Sequence, residues 1–139
     1  MSVIFTEYEI ASNLKQRRLV KTLVKDTIRY YTEKKCELHY VFCSDKYLLK
    51  INQDFLEHDT LTDIITFDLS NDNSDVIYAE IYISIERVKE NALQLKLPYQ
   101  NELLRVILHG ALHLCGFKDK SPADEKKMRS LEEEWMKKL

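Results

Sequence analysis

Glycine is nearly absent from this chain: Gly110 and Gly116 are the only two among 139 residues. Proline is as scarce, at Pro98 and Pro122, and no linker, repeat or low-complexity stretch interrupts the sequence. The three cysteines, Cys36, Cys43 and Cys115, are odd in number and scattered. That excludes a disulfide framework and makes a reducing, cytoplasmic setting the expectation. No apolar run is long enough to span a bilayer, and the opening MSVIFTEYEI lacks the basic and apolar regions of a signal peptide. No membrane association is therefore expected. Charge of one sign is missing too. A formal net charge of −2 gives no global pull toward nucleic acid, so such a substrate would need a local basic groove. What is present is an ordinary globular composition, 45% hydrophobic and 32% charged, in a length that suits a single domain, residues 1–139, with one core.

Periodicity divides the chain into elements. An extended opening, Ser2 to Tyr8, leads into a helix expected from about Asn13 to Lys34, with Leu14, Leu19, Leu23, Val24, Thr27 and Ile28 near helical spacing. CELHYVFC (Cys36–Cys43) alternates as a strand does. Ser44 or Asp45 can cap a short helix through Leu56. TDIITFDL (Thr62–Leu69) and VIYAEIYIS (Val76–Ser84) read as strands joined by the polar turn SNDNSD. Ser84 is suited to capping a helix to about Leu97, which Pro98 ends. Another helix is expected from Gln100 through His113, and a last one from Pro122 to the C-terminus, capped by Ser121. In that last helix Met128, Leu131, Trp135 and Met136 turn inward and the charged face is solvated. The expected fold class is α+β, a small mixed β-sheet packed against several helices.

The chemistry gathers in HGALHLCGFKD, His109 to Asp119. His109 and His113 are one helical turn apart on one face, so both rings can reach one ion. Both glycines of the chain fall within this run. Gly116, three residues after His113, can end the helix in the left-handed conformation and turn the chain back. Asp119 then stands where a returning chain can present a third ligand. The result, H-x-x-x-H-x-x-G-x-x-D, is the skeleton of the metzincin zinc motif with Asp for the third His. The metal ligands expected are His109, His113 and Asp119, on a zincin-like helix near the C-terminus. Gly110 holds the place where zincin proteases carry their glutamate general base, which argues against peptidase chemistry. A mid-helix glycine costs about 1 kcal/mol against alanine, so it needs a reason. Close approach of another element and access of substrate to the metal are two compatible ones.

HGALHLCGFKD resembles the signature H-G-x-L-H-L-x-G-[YF]-D-H of the YbeY-type family of bacterial rRNA maturation factors. INQDFLEHDTLTDIITFDL (Ile51–Leu69) resembles that family's L-N-x-x-[YF]-R … T-D-V-L-S-F segment, and AEIYIS (Ala79–Ser84) its G-D-I-x-I-S strand. The resemblance implies a metal-dependent, single-strand-specific endoribonuclease that acts in rRNA maturation, including the 16S 3′ end, and in ribosome quality control. It implies single-stranded RNA or rRNA, ribosomal subunits and assembly factors as partners, and a cytoplasmic location.

Three departures from the family pattern stand out. Asp119 falls on the third family histidine. Oxygen binds zinc at about the same distance as nitrogen, and although Mn²⁺ or Mg²⁺ gains from the change, the two His still favour Zn²⁺. Leu56 falls on a family arginine, so another cation would have to stabilise charge at the phosphate; His58, Lys46, Lys50 and Lys118 are the candidates. Ala79 and Glu80 replace Gly-Asp. The expected chemistry is attack of a metal-activated water on a phosphodiester. Besides the ligand His109, the catalytic candidates are Glu80 and Asp63, either of which, or a substrate phosphate, could be the base. Against a role in the cleft, Thr62 and Asp63 read equally well as a strand-start cap and a solvent-facing acid. A metallohydrolase of another substrate and a non-catalytic, metal-binding ribosome-assembly factor are the alternatives.

Overall fold

The computed structural model describes residues 1–56, 62–71 and 73–139. Along the chain run β1 (Ser2–Glu7), α1 (Arg17–Thr32), β2 (Lys35–Cys43), α2 (Asp45–Leu56), β3 (Ile64–Asp68) and β4 (Val76–Ser84), followed by α3 (Ile85–Leu95), α4 (Tyr99–Leu114) and α5 (Pro122–Met136). Among the described residues the strands form one sheet in the order β1-β2-β4-β3. β1, β2 and β4 are parallel, and β3 runs antiparallel to β4 at the edge. This is a mixed sheet with helices, the α+β class expected. The opening segment is more than extended. It is an edge strand that pairs with β2 through the α1 crossover, as parallel neighbours require.

Strand alternation decides what faces what. Leu38, Tyr40 and Phe42 of β2 and Ala79, Ile81 and Ile83 of β4 are buried in the main core, under α1 and α4. The alternate residues point to the opposite face. There α2 covers one end, its Leu48 and Ile51 against Cys43 and Ile65. α4 is the central helix, flanked by α1, α3, α5 and the sheet. Its run from Leu103 to Leu112 is apolar on nearly every side because nearly every side is covered.

Two of the boundaries that differ from the periodicity have a visible backbone cause. α1 starts at Arg17, since Asn13 and Gln16 both take the left-handed conformation, with φ of 54° and 55°. Leu14 is buried from the preceding loop, and Leu19 is 53% exposed while Val20 fills the inward position. α3 ends at Leu95 because Lys96 turns left-handed, and Leu97 N–H bonds back to the Ala92 carbonyl. The caps at Ser84 and Ser121 form as their sequences indicate, each hydroxyl accepting a backbone N–H three residues on.

Gly110 sits where α4 touches the sheet. A Cβ there would lie 3.0 Å from Ile64 Cδ1 and 3.2 Å from Ile81 Cγ2, so close approach is its structural reason. Gly110→Ala is expected to be nearly neutral, the helix gain of about 1 kcal/mol offsetting the displaced Ile64 methyl. Gly110→Val is expected to lose about 1–3 kcal/mol through overpacking, read by urea denaturation. A Gly110→Val protein as stable as the parent would show that close packing is not what requires the glycine.

Candidate metal centre

The last turn of α4 presents His109 and His113 on one face, their rings edge to face with centroids 4.5 Å apart. Gly116, at φ 99°, then reverses the chain. Its N–H bonds to the His113 carbonyl at 2.9 Å and Phe117 N–H to the Leu112 carbonyl at 3.2 Å, the paired bonds of a Schellman motif. The returning loop carries Asp119 over the histidines before Ser121 and Pro122 open α5.

Asp119 Oδ2 lies 3.2 Å from His109 Nε2 and 3.3 Å from His113 Nε2. One ligand atom from each residue falls within 4.8 Å of the others. Two donors about 2.0–2.1 Å from a tetrahedral ion stand roughly 3.3–3.4 Å apart, so the separations suit a common cation. The donor chemistry agrees. His109 Nδ1 is 2.6 Å from Glu132 Oε2, a carboxylate that Arg105 also contacts at 3.1 Å. A carboxylate only accepts, so Nδ1 carries a proton, and in the neutral ring it is the Nε2 lone pair that faces the Asp119 oxygen. Two lone pairs aimed at one another are stabilised by a positive charge between them.

Behind the three candidate ligands lies an acid–base chain that the sequence did not reveal. Arg105 bonds Glu102 through Nε at 2.8 Å and through Nη2, and Glu132 through Nη1 at 3.1 Å. Glu102 and Glu132 are 0% and 1% exposed. Burial works against the charged guanidinium, but hydrogen bonds and charge from Glu102 and Glu132 outweigh it and hold Arg105 above its ordinary value. A signal was available. Glu132 follows Met128 by four residues and precedes Trp135 by three, inside the inward stripe of α5, and a buried acid requires a partner.

On its sheet side the cluster opens into a cleft of about 410 Å³, floored by β3 and its approach and lined by Asp63, Thr66, Asp68, His109, His113 and Asp119. Asp63 is therefore not a solvent-facing acid. It is half-buried, accepts a hydrogen bond from Asn91 Nδ2 at 3.2 Å, and shares the cleft with His109, His113 and Asp119. Burial raises its pKa above the usual carboxylate value, against the lowering effect of Arg105 and His109.

Glu80 is not brought to the cluster. It alternates with Ala79 and Ile81 and so points to the opposite face of the sheet, into a separate cleft with Tyr47, Phe55, Phe67 and Tyr82. Lys46 and Lys50 lie on α2 beside Tyr8 and Tyr47, and Lys118 lines a cleft at the α4–α5 turn with Gly116 and Phe117. His58 lies outside the described residues. Ser84 caps α3 and donates to Asp45 at 2.6 Å. All three cysteines are free. Burial pushes the thiols of Cys43 and Cys115 up to about 12, so these two stay protonated and inert at neutral pH. Among the described residues no helix is long and apolar enough to cross a membrane.

Comparison with known proteins agrees with this arrangement. A family model described as Endoribonuclease YbeY matches residues 4–139. A protein named Endoribonuclease YbeY from Flavobacterium psychrophilum is 49% identical over 135 residues, 97% of this chain and 95% of that protein. One of the same name from Porphyromonas gingivalis is 48% identical over 86% of this chain and 78% of its own. A solution structure from Thermotoga maritima superposes with a TM-score of 0.67 at 26% identity, covering 99% of this chain and 91% of that one. With the His-His-Asp cluster at the end of α4 and homology along nearly its whole length, the chain belongs to the YbeY endoribonuclease family.

Proposed function

We propose that this protein is a metal-dependent, single-strand-specific endoribonuclease that hydrolyses phosphodiester bonds at the His109–His113–Asp119 centre. Its substrate in the cell is rRNA, including the 3′ end of 16S rRNA, and its role is rRNA maturation and ribosome quality control. Ribosomal subunits and their assembly factors are its partners, and the cytoplasm is its place of work. The observation that carries the reading is the convergence of three ligand atoms at the mouth of an open cleft, in a family whose members are named endoribonucleases. Two imidazoles with one carboxylate favour Zn²⁺ over Mn²⁺ or Mg²⁺.

When bound, the ion supplies a Lewis acid that polarises a phosphoryl oxygen and makes water a better nucleophile. The chain's own residues do the rest. His109 and His113 orient the centre and Asp119 closes it, while β3 walls the cleft. Asp63 is the residue we assign as general base, because it lines the same cleft and burial raises its proton affinity above the usual carboxylate value. The place of the zincin glutamate cannot serve, since Gly110 is pressed against Ile64 and Ile81.

The test is incubation of zinc-loaded protein with single-stranded RNA, duplex RNA and casein. Only the single-stranded RNA should be cut. Chelation should reduce cleavage to background, and added zinc should restore it. Cleavage of casein, or undiminished RNA cleavage after full metal removal, would refute the proposal.

A further inference from the structure

The buried chain Glu102–Arg105–Glu132 ends on His109, and its geometry assigns it a task. We infer that Glu132 is a positioning residue that fixes His109 as a metal donor and couples the docking of α5 to metal binding, an inference resting on the reading of His109, His113 and Asp119 as the metal centre. Glu132 Oε2 accepts the Nδ1 proton at 2.6 Å. That contact selects the tautomer with a free Nε2 and sets the ring plane so that Nε2 points at Asp119. A ligating imidazole whose other nitrogen is held by a carboxylate is both oriented and made a stronger donor.

Arg105 makes the arrangement rigid. Its side chain is 13% exposed, and the guanidinium bridges Glu102, one turn earlier on α4, to Glu132 on α5. Glu132, 1% exposed, therefore has two contacts within hydrogen-bond range, one to His109 and one to the cation it shares with Glu102. The two histidines are not equivalent. Among the described residues, Asp119 is the only acid that contacts His113, and no carboxylate holds its Nδ1. His109 is the donor set in advance, and α5 sets it. Because Asp119 lies on the loop into α5 and Glu132 on α5 itself, docking of that helix delivers one ligand and orients another.

Zinc affinity of the full chain, measured by competition with a chromophoric chelator, tests this on Glu132→Gln and Glu132→Ala. Glu133→Gln, on the exposed side of α5, is the control. Glu132→Gln keeps a hydrogen-bond acceptor and leaves Arg105 paired with Glu102, so it should fold and bind zinc about 10-fold more weakly; Glu132→Ala should approach about 100-fold. The rise in melting temperature on adding zinc should shrink in the same order. A purely structural role would lower the melting temperature of the metal-free and zinc forms alike and leave affinity unchanged. Folded Glu132→Gln protein with parental affinity and zinc-dependent melting shift overturns the inference. Failure of the parent chain itself to bind zinc overturns it together with the metal centre, and so separates the two failures.

Discussion

Replacing His109 with alanine is expected to abolish zinc binding and reduce RNA cleavage to background, and also to lower the stability of the metal-free protein by about 1–3 kcal/mol. His113→Ala should match the first effect and largely escape the second. Both substitutions remove one of the three proposed ligands, and two remaining donors do not hold an ion against bulk chelator. They differ in what is left behind. His109 donates to Glu132, which is 1% exposed, and its loss leaves a buried carboxylate without that donor. His113 is about twice as exposed, at 31% against 15%; it packs against the His109 ring, and among the described residues its one acidic partner is Asp119, itself 39% exposed. Zinc titration, RNA cleavage and urea denaturation in excess chelator on the two variants check the prediction. Equal stability losses would mean that the Glu132 contact contributes little to the fold; cleavage persisting in His109→Ala would remove the metal centre from the mechanism.

That contrast marks the boundary of what the sequence discloses. His109, His113, Gly116 and Asp119 were legible because a single local device places them: helical spacing, a left-handed turn and a short return. The caps at Ser84 and Ser121 were legible for the same reason. Glu132 was not, because its burial depends on how α5 docks against α4, and the run EKKMRSLEEEWMKKL reads as an amphipathic helix whose charged residues belong to the solvated face. Arg105 and Glu102 were hidden likewise, as an ordinary i, i+3 pair whose third member is 27 residues away in the chain. Glu80 failed in another way. The alternation of β4 separates Glu80 from Ala79 and Ile81, but only the tertiary structure says that α4 covers the alanine side. The parallel pairing of β1 with β2 is likewise a long-range fact, and the start of α1 turns on left-handed conformations at Asn13 and Gln16 that no spacing rule anticipates.

Asp63 is where activity and stability should separate. Asp63→Asn is expected to cut RNA cleavage by about 10²–10⁴-fold, the usual contribution of a general base, while making the folded protein somewhat more stable at neutral pH. Burial raises the pKa of Asp63 above its unfolded value despite Arg105 and His109, so between those two values the native state holds more protons than the unfolded one. Stability from this group is then fully present below the unfolded value and is lost as pH rises through the folded one. Asparagine carries no charge into the cleft and can still accept the Asn91 hydrogen bond through its carbonyl oxygen, so the variant should lose this slope. Cleavage runs the other way, rising with pH as the carboxylate ionises. Urea denaturation and cleavage rates across the acidic range therefore give two profiles of opposite sign in the parent, and both flatten in the variant if one carboxylate causes them. If cleavage by Asp63→Asn keeps the parental pH profile and rate, the base is another group, and the desolvation of Asp63 is only a structural cost. If the rate falls but the stability profile does not change, Asp63 acts in the cleft without its burial having set its proton affinity.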